Sequence, residues 1–215
     1  MNTRARLAGS CVALAAAALA VTPATAGTRW LVLGVDAGAT SFDAHLADYQ
    51  WDVAPRSAWG AEALAGAGPL GLGARLSSHA TTQRLAIDGV PDPKVSATRL
   101  EVVAHARLTR VLGIDVAALG SAGRQRLAYH PSRLEIPAGG TPVTVELRPV
   151  DGWIAGGGMA LSHALPGPWN ATFALERSWF ALDTAHTSGG VIVEDRETFG
   201  LWDARLGVNW LVTSR

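Results

Sequence analysis

A histidine, a serine and two glutamates lie close together near the end of the chain, at His186, Ser188, Glu194 and Glu197. A histidine can act as the base that activates a serine hydroxyl for attack on an acyl carbonyl, and a carboxylate can orient that histidine. These residue types are the ones that such nucleophilic catalysis uses, so a catalytic set is one hypothesis. A loop rich in small polar residues is the simpler interpretation, because two glycines follow Ser188 directly. The catalytic set is kept as an alternative only.

A second group of ionisable residues recurs on one face of successive segments and carries both signs of charge. Its members are Asp36, Glu62, Arg75, Glu101, His105, Glu176, Asp203 and Arg205. An isolated buried charge is costly, whereas opposite charges at one depth can neutralise each other. The group therefore predicts a charge network inside a closed structure. Unconnected surface charges are the alternative.

The remaining polar residues match no common metal or phosphate site. The histidines at positions 79, 105 and 163 fit no zinc-ligand spacing, and the aspartates at 43, 48 and 52 are spaced more widely than the ligands of a calcium loop. The glycine run 156–158 lacks the helix that phosphate-binding loops require. We expect no metal ion and no cofactor.

The elements that position these residues are β-strands with one apolar face. In segment 199–212, for example, Trp202 and Trp210 share an uncharged face and Asp203 lies on the other, which is the period-two alternation of a strand. Eight segments show the pattern: 30–40, 57–67, 70–81, 98–109, 112–123, 142–165, 169–183 and 199–212. We expect a bulge or break at Pro149. We also expect a short link between two strands near residues 110–111.

The connections between these segments alternate long and short along the chain. The short ones include Gly68-Pro69 and Pro166-Gly167-Pro168, which are turn sequences. This asymmetry puts all long loops at one end and the tight turns, with both termini, at the other. We therefore predict an all-β fold, an eight-stranded antiparallel up-and-down barrel.

The apolar face of such a barrel either lines a cavity, as in a soluble lipocalin-like carrier, or faces lipid. The polar face favours lipid outside, because it is built from small residues with few charges, unlike a water-facing surface. Tryptophans also recur near the strand ends: Trp30, Trp59, Trp153, Trp169, Trp179, Trp202 and Trp210. On a tilted strand, Trp169 and Trp179 would lie about 25 Å apart along the barrel axis, which matches the expected height of the apolar band. Trp30 belongs to the polar face by strict alternation.

Composition and the N-terminus bear on location. Residues 1–26 have the basic start, apolar run and small-residue cleavage site of a secretory signal peptide. The mature chain, 27–215, would form the barrel domain and contain no cysteine. Zero net charge with a single lysine argues against a nucleic-acid partner.

Residues 27–215 resemble the small outer-membrane barrels of the OmpA, OmpX and OmpW kind, in topology and pattern. The resemblance implies a transmembrane barrel in a Gram-negative-type outer membrane, with outer-membrane lipid and the barrel-assembly machinery as partners. Such barrels usually end in an aromatic residue, whereas here Trp210 is followed by five further residues. A lumen this narrow is filled by side chains, so we expect a structural role or binding through the long loops.

The set around His186 and Ser188 resembles the layout of outer-membrane lipid A deacylases, in which a histidine and a serine precede the final strand. Those enzymes also carry an asparagine after the serine and an Asn-x-Gly further on, and both are absent from this sequence. The resemblance implies lipid A acyl-ester hydrolysis as the alternative function.

Overall fold

The fold was obtained as a computed structural model, which describes residues 29–138, 141–188 and 191–213. For residues 138, 185–188, 191–194 and 213 it describes the backbone alone. The proposed signal peptide, 1–26, lies outside the described residues. The strands are β1 (Arg29–Phe42), β2 (Arg56–Ala67), β3 (Leu70–Thr82), β4 (Lys94–Val111), β5 (Ile114–His130), β6 (Arg133–Ala138), β7 (Thr141–Glu146), β8 (Val150–Ala164), β9 (Trp169–Ser188) and β10 (Val191–Thr213), with a 3₁₀ helix, η1 (Ala44–Tyr49), between β1 and β2.

Eight of the strands close into one antiparallel barrel in the order β1-β10-β9-β8-β5-β4-β3-β2. Strand β1 closes the ring by pairing with β2 on one side and with β10 on the other. The predicted eight-stranded antiparallel up-and-down barrel is therefore confirmed. Closure leaves no unpaired strand edge within the barrel wall.

The tight turns lie where the backbone adopts positive φ. Gly68 and Gly167 occupy two of them, with φ of 57° and 77°. The third turn is formed by Leu112 and Gly113, both with positive φ, as hairpin turns of this length require. The link predicted near residues 110–111 was therefore placed two residues too early, because Arg110 and Val111 still pair with β5.

Other boundaries were also predicted wrongly, and β5, for example, continues to His130, beyond its predicted end at residue 123. The segment 142–165 is not one strand: β7 pairs with β6 in a separate hairpin outside the barrel, and β8 begins at Val150, just after Pro149. The connection predicted at 184–198 is largely strand, since β9 and β10 pair without interruption from Trp169 and Trp210 to Ser188 and Val191. Backbone pairing continues there although the side chains no longer alternate between apolar and polar.

Polar side chains fill the interior and large apolar side chains cover the outside. The buried charged residues include Arg75, Arg99, Glu101, Glu176 and Asp203, and none of them is more than 2% exposed. Outward residues such as Leu206 and Trp153 are 68% and 67% exposed. This distribution is the inverse of that in a water-soluble protein, where large apolar side chains are buried.

An apolar cluster closes the long-loop end of the lumen. It comprises Phe42, Leu46, Trp51, Val95, Ala97, Leu127, Ile154, Phe180, Phe199 and Leu201. Leu46 comes from η1, which crosses the barrel mouth, and is almost fully buried. Among the described residues, no helix is both long enough and apolar enough to cross a membrane.

Candidate functional site

The middle of the lumen is crossed by a layer of paired charges. Arg75 Nη1 lies 2.8 Å from Glu176 Oε2, and Arg75 Nη2 lies 3.0 Å from Glu101 Oε2. Arg205 Nη2 donates to the same Glu176 oxygen at 2.7 Å, and the Ser121 hydroxyl donates to the other oxygen. Glu176 is thus shared by two arginines and a serine from three different strands. Its side chain has no exposed surface, so these partners replace its water shell.

A second charge layer lies nearer the long-loop end. Arg99 donates to both carboxylate oxygens of Asp203, at 2.6 and 3.1 Å, and the Thr40 hydroxyl donates to the same carboxylate. Two parallel hydrogen bonds of this kind are the strongest geometry for an arginine–carboxylate pair. Arg99 was not among the predicted network residues, although it precedes Glu101 by two positions and so lies on the same inward face.

Three predicted residues lie on the turn side of the central layer and are paired more loosely. The closest nitrogen of His105 is 3.6 Å from Glu62, and a guanidinium nitrogen of Arg205 is 3.9 Å from Asp36. Between these residues and the tight turns, the lumen contains a cavity of about 500 Å³. A second, smaller cavity of about 40 Å³ lies beside Arg75 and Arg205. We call the larger cavity the vestibule; its lining reaches His105, on the turn side of the central charge layer.

The long-loop end is held by contacts between η1 and β10. Glu197 Oε2 lies 3.0 Å from His45 Nε2, and the hydroxyl of Tyr49 donates to the other Glu197 oxygen. Both rings also pack against Phe199, with centroid distances of 5.8 and 5.5 Å. The hydrogen bond to Glu197, assisted by Asp48, raises the pKa of His45 above its usual value.

The described backbone places the predicted catalytic residues on the paired strands β9 and β10. His186 pairs with Val193 and Ser188 with Val191, near the tip of the β9–β10 hairpin. Glu197 pairs with Leu182 and lies four positions farther from the tip than Val193, the partner of His186. Its side chain contacts η1. The side chains of His186, Ser188 and Glu194 lie outside the described residues, so the hydrolase hypothesis stays a prediction.

The tryptophans form two groups on the outside of the barrel. Trp59, Trp153, Trp179 and Trp202 project outward near the long-loop end. Trp169 and Trp210 project outward near the turns, where they lie directly opposite each other on β9 and β10. Trp30 does not belong to either group: its indole nitrogen donates to the Gly68 carbonyl at 3.1 Å, and the residue lines the vestibule.

Arg177, which interrupts the apolar face of β9, causes no bulge there. It pairs in regular register with Gly157 and Trp202. Its guanidinium lies over the rings of Trp179 and Trp202 instead. Within the described ranges, no group of three or more histidine, cysteine or acidic side chains could hold a metal ion.

Solved structures of a bacterial surface protein and of a bacterial outer membrane protein have a similar fold. The chain is similar to neisserial surface protein A, with a TM-score of 0.50 and 10% identity over 84% of this chain and 96% of that one. It is also similar to a major outer membrane protein from Thermus thermophilus, with a TM-score of 0.49 and 12% identity over 85% and 99%. No protein-family model and no curated protein sequence matches it. The similarity to the neisserial protein confirms the predicted resemblance to small outer-membrane barrels at the level of the fold.

Proposed function

We propose that this chain is an integral β-barrel protein of a Gram-negative-type outer membrane, exported through residues 1–26. The observation that carries the proposal is the inverted distribution of side chains, with charges paired inside and large apolar residues outside. An apolar surface of this extent on a water-soluble monomer would cause aggregation. In a bilayer this apolar surface contacts lipid chains. The outward tryptophans lie where the interface between membrane and water would be expected.

The closed lumen supports a structural or binding role rather than transport. A solute entering the vestibule would have to break the Arg75–Glu176 and Arg99–Asp203 pairs and then pass the apolar cluster below η1. Breaking a buried charge pair costs several kcal/mol. We therefore expect no porin-like conductance in planar bilayers, and stable open-channel currents from the folded protein would contradict this part.

Binding of a partner would use the long-loop end. A cavity of about 650 Å³ lies there between η1 and the β9–β10 hairpin, and its lining includes Asp48, Gln83, Tyr129 and Asp183. Charged, amide and aromatic groups in one concave site are typical of specific recognition. The partner is expected from outside the cell, because all long loops are at this end.

Cell fractionation with gel electrophoresis tests the proposal. The chain should remain with the outer-membrane fraction until detergent is added, because its outer surface is apolar. Unheated samples in dodecyl sulfate should migrate faster than boiled ones, because a closed barrel stays compact. The soluble-carrier alternative predicts periplasmic protein without detergent, so that result would refute the proposal. Assembly should also depend on the barrel-assembly machinery, and normal assembly after its depletion would argue against that partner.

A further inference from the structure

The vestibule at the turn end of the lumen has the size of a small-molecule site. Its volume is about 500 Å³, and ligand pockets typically have about 300–1,000 Å³. It extends from Gly68 and Pro69 in the first tight turn to His105 beside the central charge layer. Every barrel strand except β3 contributes a residue to its lining. A ligand would therefore enter from the tight-turn end and be surrounded by the barrel wall.

One side of the vestibule is apolar and carries an aromatic ring in a fixed position. The Trp30 indole nitrogen donates to the Gly68 carbonyl at 3.1 Å. The ring also lies against Gly66 and Gly71, since a Cβ added at these positions would be 2.4 and 2.3 Å from its atoms. The two glycines are directly paired across β2 and β3, so they form a wall against which the ring packs. Three apolar residues from one row of paired positions complete this side: Leu64, Val32 and Leu211.

The other side of the vestibule carries polar side chains that the protein leaves without partners. Strands β8 and β9 lie directly across the barrel from β2 and β3. On β9 and β10, Asn170 lies opposite Asn209. On β8, Ser162 lies between Thr172 and Asp115. The two amides and two hydroxyls make no side-chain hydrogen bond with a described residue, and the buried Oδ1 of Asp115 accepts none within the described ranges. These groups are available to a ligand.

The charges of the lining give no preference for an ionised ligand. Arg107 and Asp115 lie on neighbouring strands and carry opposite charges, and His105 lies 3.6 Å from Glu62. An apolar ligand would leave the amides, the hydroxyls and Asp115 unpaired, which costs free energy for each group. The ligand that fits both sides is neutral, with an apolar face and several groups that donate and accept hydrogen bonds.

We propose that the vestibule binds a neutral saccharide. The C–H face of one sugar ring packs on Trp30, and the sugar hydroxyls, which both donate and accept, bind the amides, the hydroxyls and the Asp115 carboxylate. A site built to bind ligand hydroxyls rejects analogues that lack them, because its own polar groups would be left unpaired. Binding requires only the closed barrel. Entry of the saccharide from the periplasm, in contrast, rests on the proposed outer-membrane location.

Saturation-transfer NMR titrations test the site, with the full chain folded in dodecylphosphocholine, a detergent without a sugar. The probes are chitotriose, which has the acetamido groups of cell-wall glycans, and cellotriose, which lacks them. Saturable binding of either probe supports the site, and their relative affinity separates a cell-wall glycan from a free sugar as the source. Trp30→Leu should weaken binding about tenfold by removing the stacking surface. Thr172→Val should weaken it about fivefold by removing one hydrogen bond. Ala117→Leu should weaken it with no loss of a polar group, because Ala117 lines the vestibule and leucine fills it.

Ser178→Ala is the matched control for Thr172→Val. Ser178 is a buried hydroxyl residue on the inward face of the same strand and has no hydrogen-bond partner within the described ranges, but it lies on the long-loop side of Glu176. Ser178→Ala should keep the wild-type dissociation constant. Heat-modifiable migration verifies that each variant is folded, and Ala117→Leu, which keeps the hydrogen bond from Trp30 to Gly68, decides the matter if Trp30→Leu does not fold. Absence of saturation transfer to both saccharides, unchanged affinity in Thr172→Val and Ala117→Leu, or an equal loss in Ser178→Ala would overturn the inference.

Discussion

At the scale of single residues, the interior depends on pairs of opposite charge that come from distant parts of the sequence. Arg99 and Asp203 are 104 residues apart and form a two-bonded pair that is almost fully buried. Such a pair adds little stability compared with apolar side chains of similar volume at the same positions. Removing one partner destabilises the fold, because the other charge is left buried and unpaired. The charge pairs therefore tie the correct strands together more than they raise the stability of the barrel.

A double-mutant cycle tests this role of the Arg99–Asp203 pair. Arg99→Met and Asp203→Asn should each lower the free energy of unfolding by about 3–5 kcal/mol, because each leaves an uncompensated buried partner. The double variant should be more stable than the sum of the single losses predicts. Urea unfolding of protein folded in lipid vesicles measures all four species. Strict additivity would contradict the pairing.

The alternation of side chains identified the inward residues but not their partners. It placed Arg75, Glu101 and Glu176 on the inner face at similar depth, where they do meet. It could not indicate that Arg99 pairs with Asp203, since register across a closed barrel depends on pairing between strands. Glu197 illustrates the opposite case: its spacing from His186 suggested catalysis, whereas the fold brings η1 to its carboxylate.

At the scale of elements, glycines on the inner face allow neighbouring strands to approach closely. A Cβ added at Gly158 would lie 2.1 Å from the carbonyl oxygen of Leu175, which is part of the backbone of β9. Gly120, on the outer face, has open space in the same position. The two glycines on adjacent strands therefore differ in what a methyl group would meet.

Alanine substitution at these two glycines should have opposite consequences. Gly158→Ala should lower stability by about 1–3 kcal/mol, because β9 has to shift to admit the methyl group. Gly120→Ala should be neutral or stabilising by up to about 1 kcal/mol, because it restricts the unfolded chain without a clash. Urea midpoints in vesicles measure both. Equal losses of stability in the two variants would show that the close approach of β8 and β9 does not determine the effect of a methyl group at position 158.

The contact between η1 and β10 should depend on pH. Because the hydrogen bond to Glu197 raises the pKa of His45, the folded state favours the protonated imidazole. Its contribution is present below the unfolded pKa of about 6.5 and is lost as pH rises through the higher folded pKa. The Leu46 amide donates a hydrogen bond to the Asp43 carbonyl. Its hydrogen-exchange protection, corrected for the pH dependence of the intrinsic exchange rate, should fall over that range.

The control for this effect is His45→Gln, which keeps a polar side chain but cannot titrate. Its Leu46 protection should vary little with pH. A wild-type protein whose protection rises with pH, or a His45→Gln variant that keeps the full dependence, would show that another group controls the position of η1.

Strand prediction succeeded within the barrel wall and failed beyond it. Inside the wall each strand faces two different surroundings, so its sequence alternates. Beyond it, β9 and β10 pair over residues that do not alternate, and β7 alternates like a wall strand but pairs with β6 outside the barrel. In both cases backbone hydrogen bonds decide which strand pairs with which, and the side-chain pattern does not specify that partner. The break after Pro149 was the one visible signal that segment 142–165 was not a single strand.

At the scale of the whole molecule, one choice decides the function: which face of the closed sheet meets the solvent. The barrel puts its charges inside, where they are paired, and exposes aliphatic and aromatic side chains around its circumference. A carrier of apolar ligands would have the reverse arrangement, with apolar rows around a cavity. The described lumen contains paired charges and the vestibule instead.

An arginine scan of the outer surface tests this choice most directly. Leu206 lies midway between Trp202 and Trp210 on β10 and is 68% exposed, whereas Leu112 lies in a turn and is 95% exposed. In lipid vesicles, Leu206→Arg should lower the free energy of unfolding by about 2–4 kcal/mol, because it puts a charge at the bilayer midplane. Leu112→Arg should change it by less than about 1 kcal/mol, as expected at the interface. If Leu206→Arg is also neutral, within about 0.5 kcal/mol as for an ordinary surface substitution, the outer face does not contact lipid and the membrane assignment is wrong.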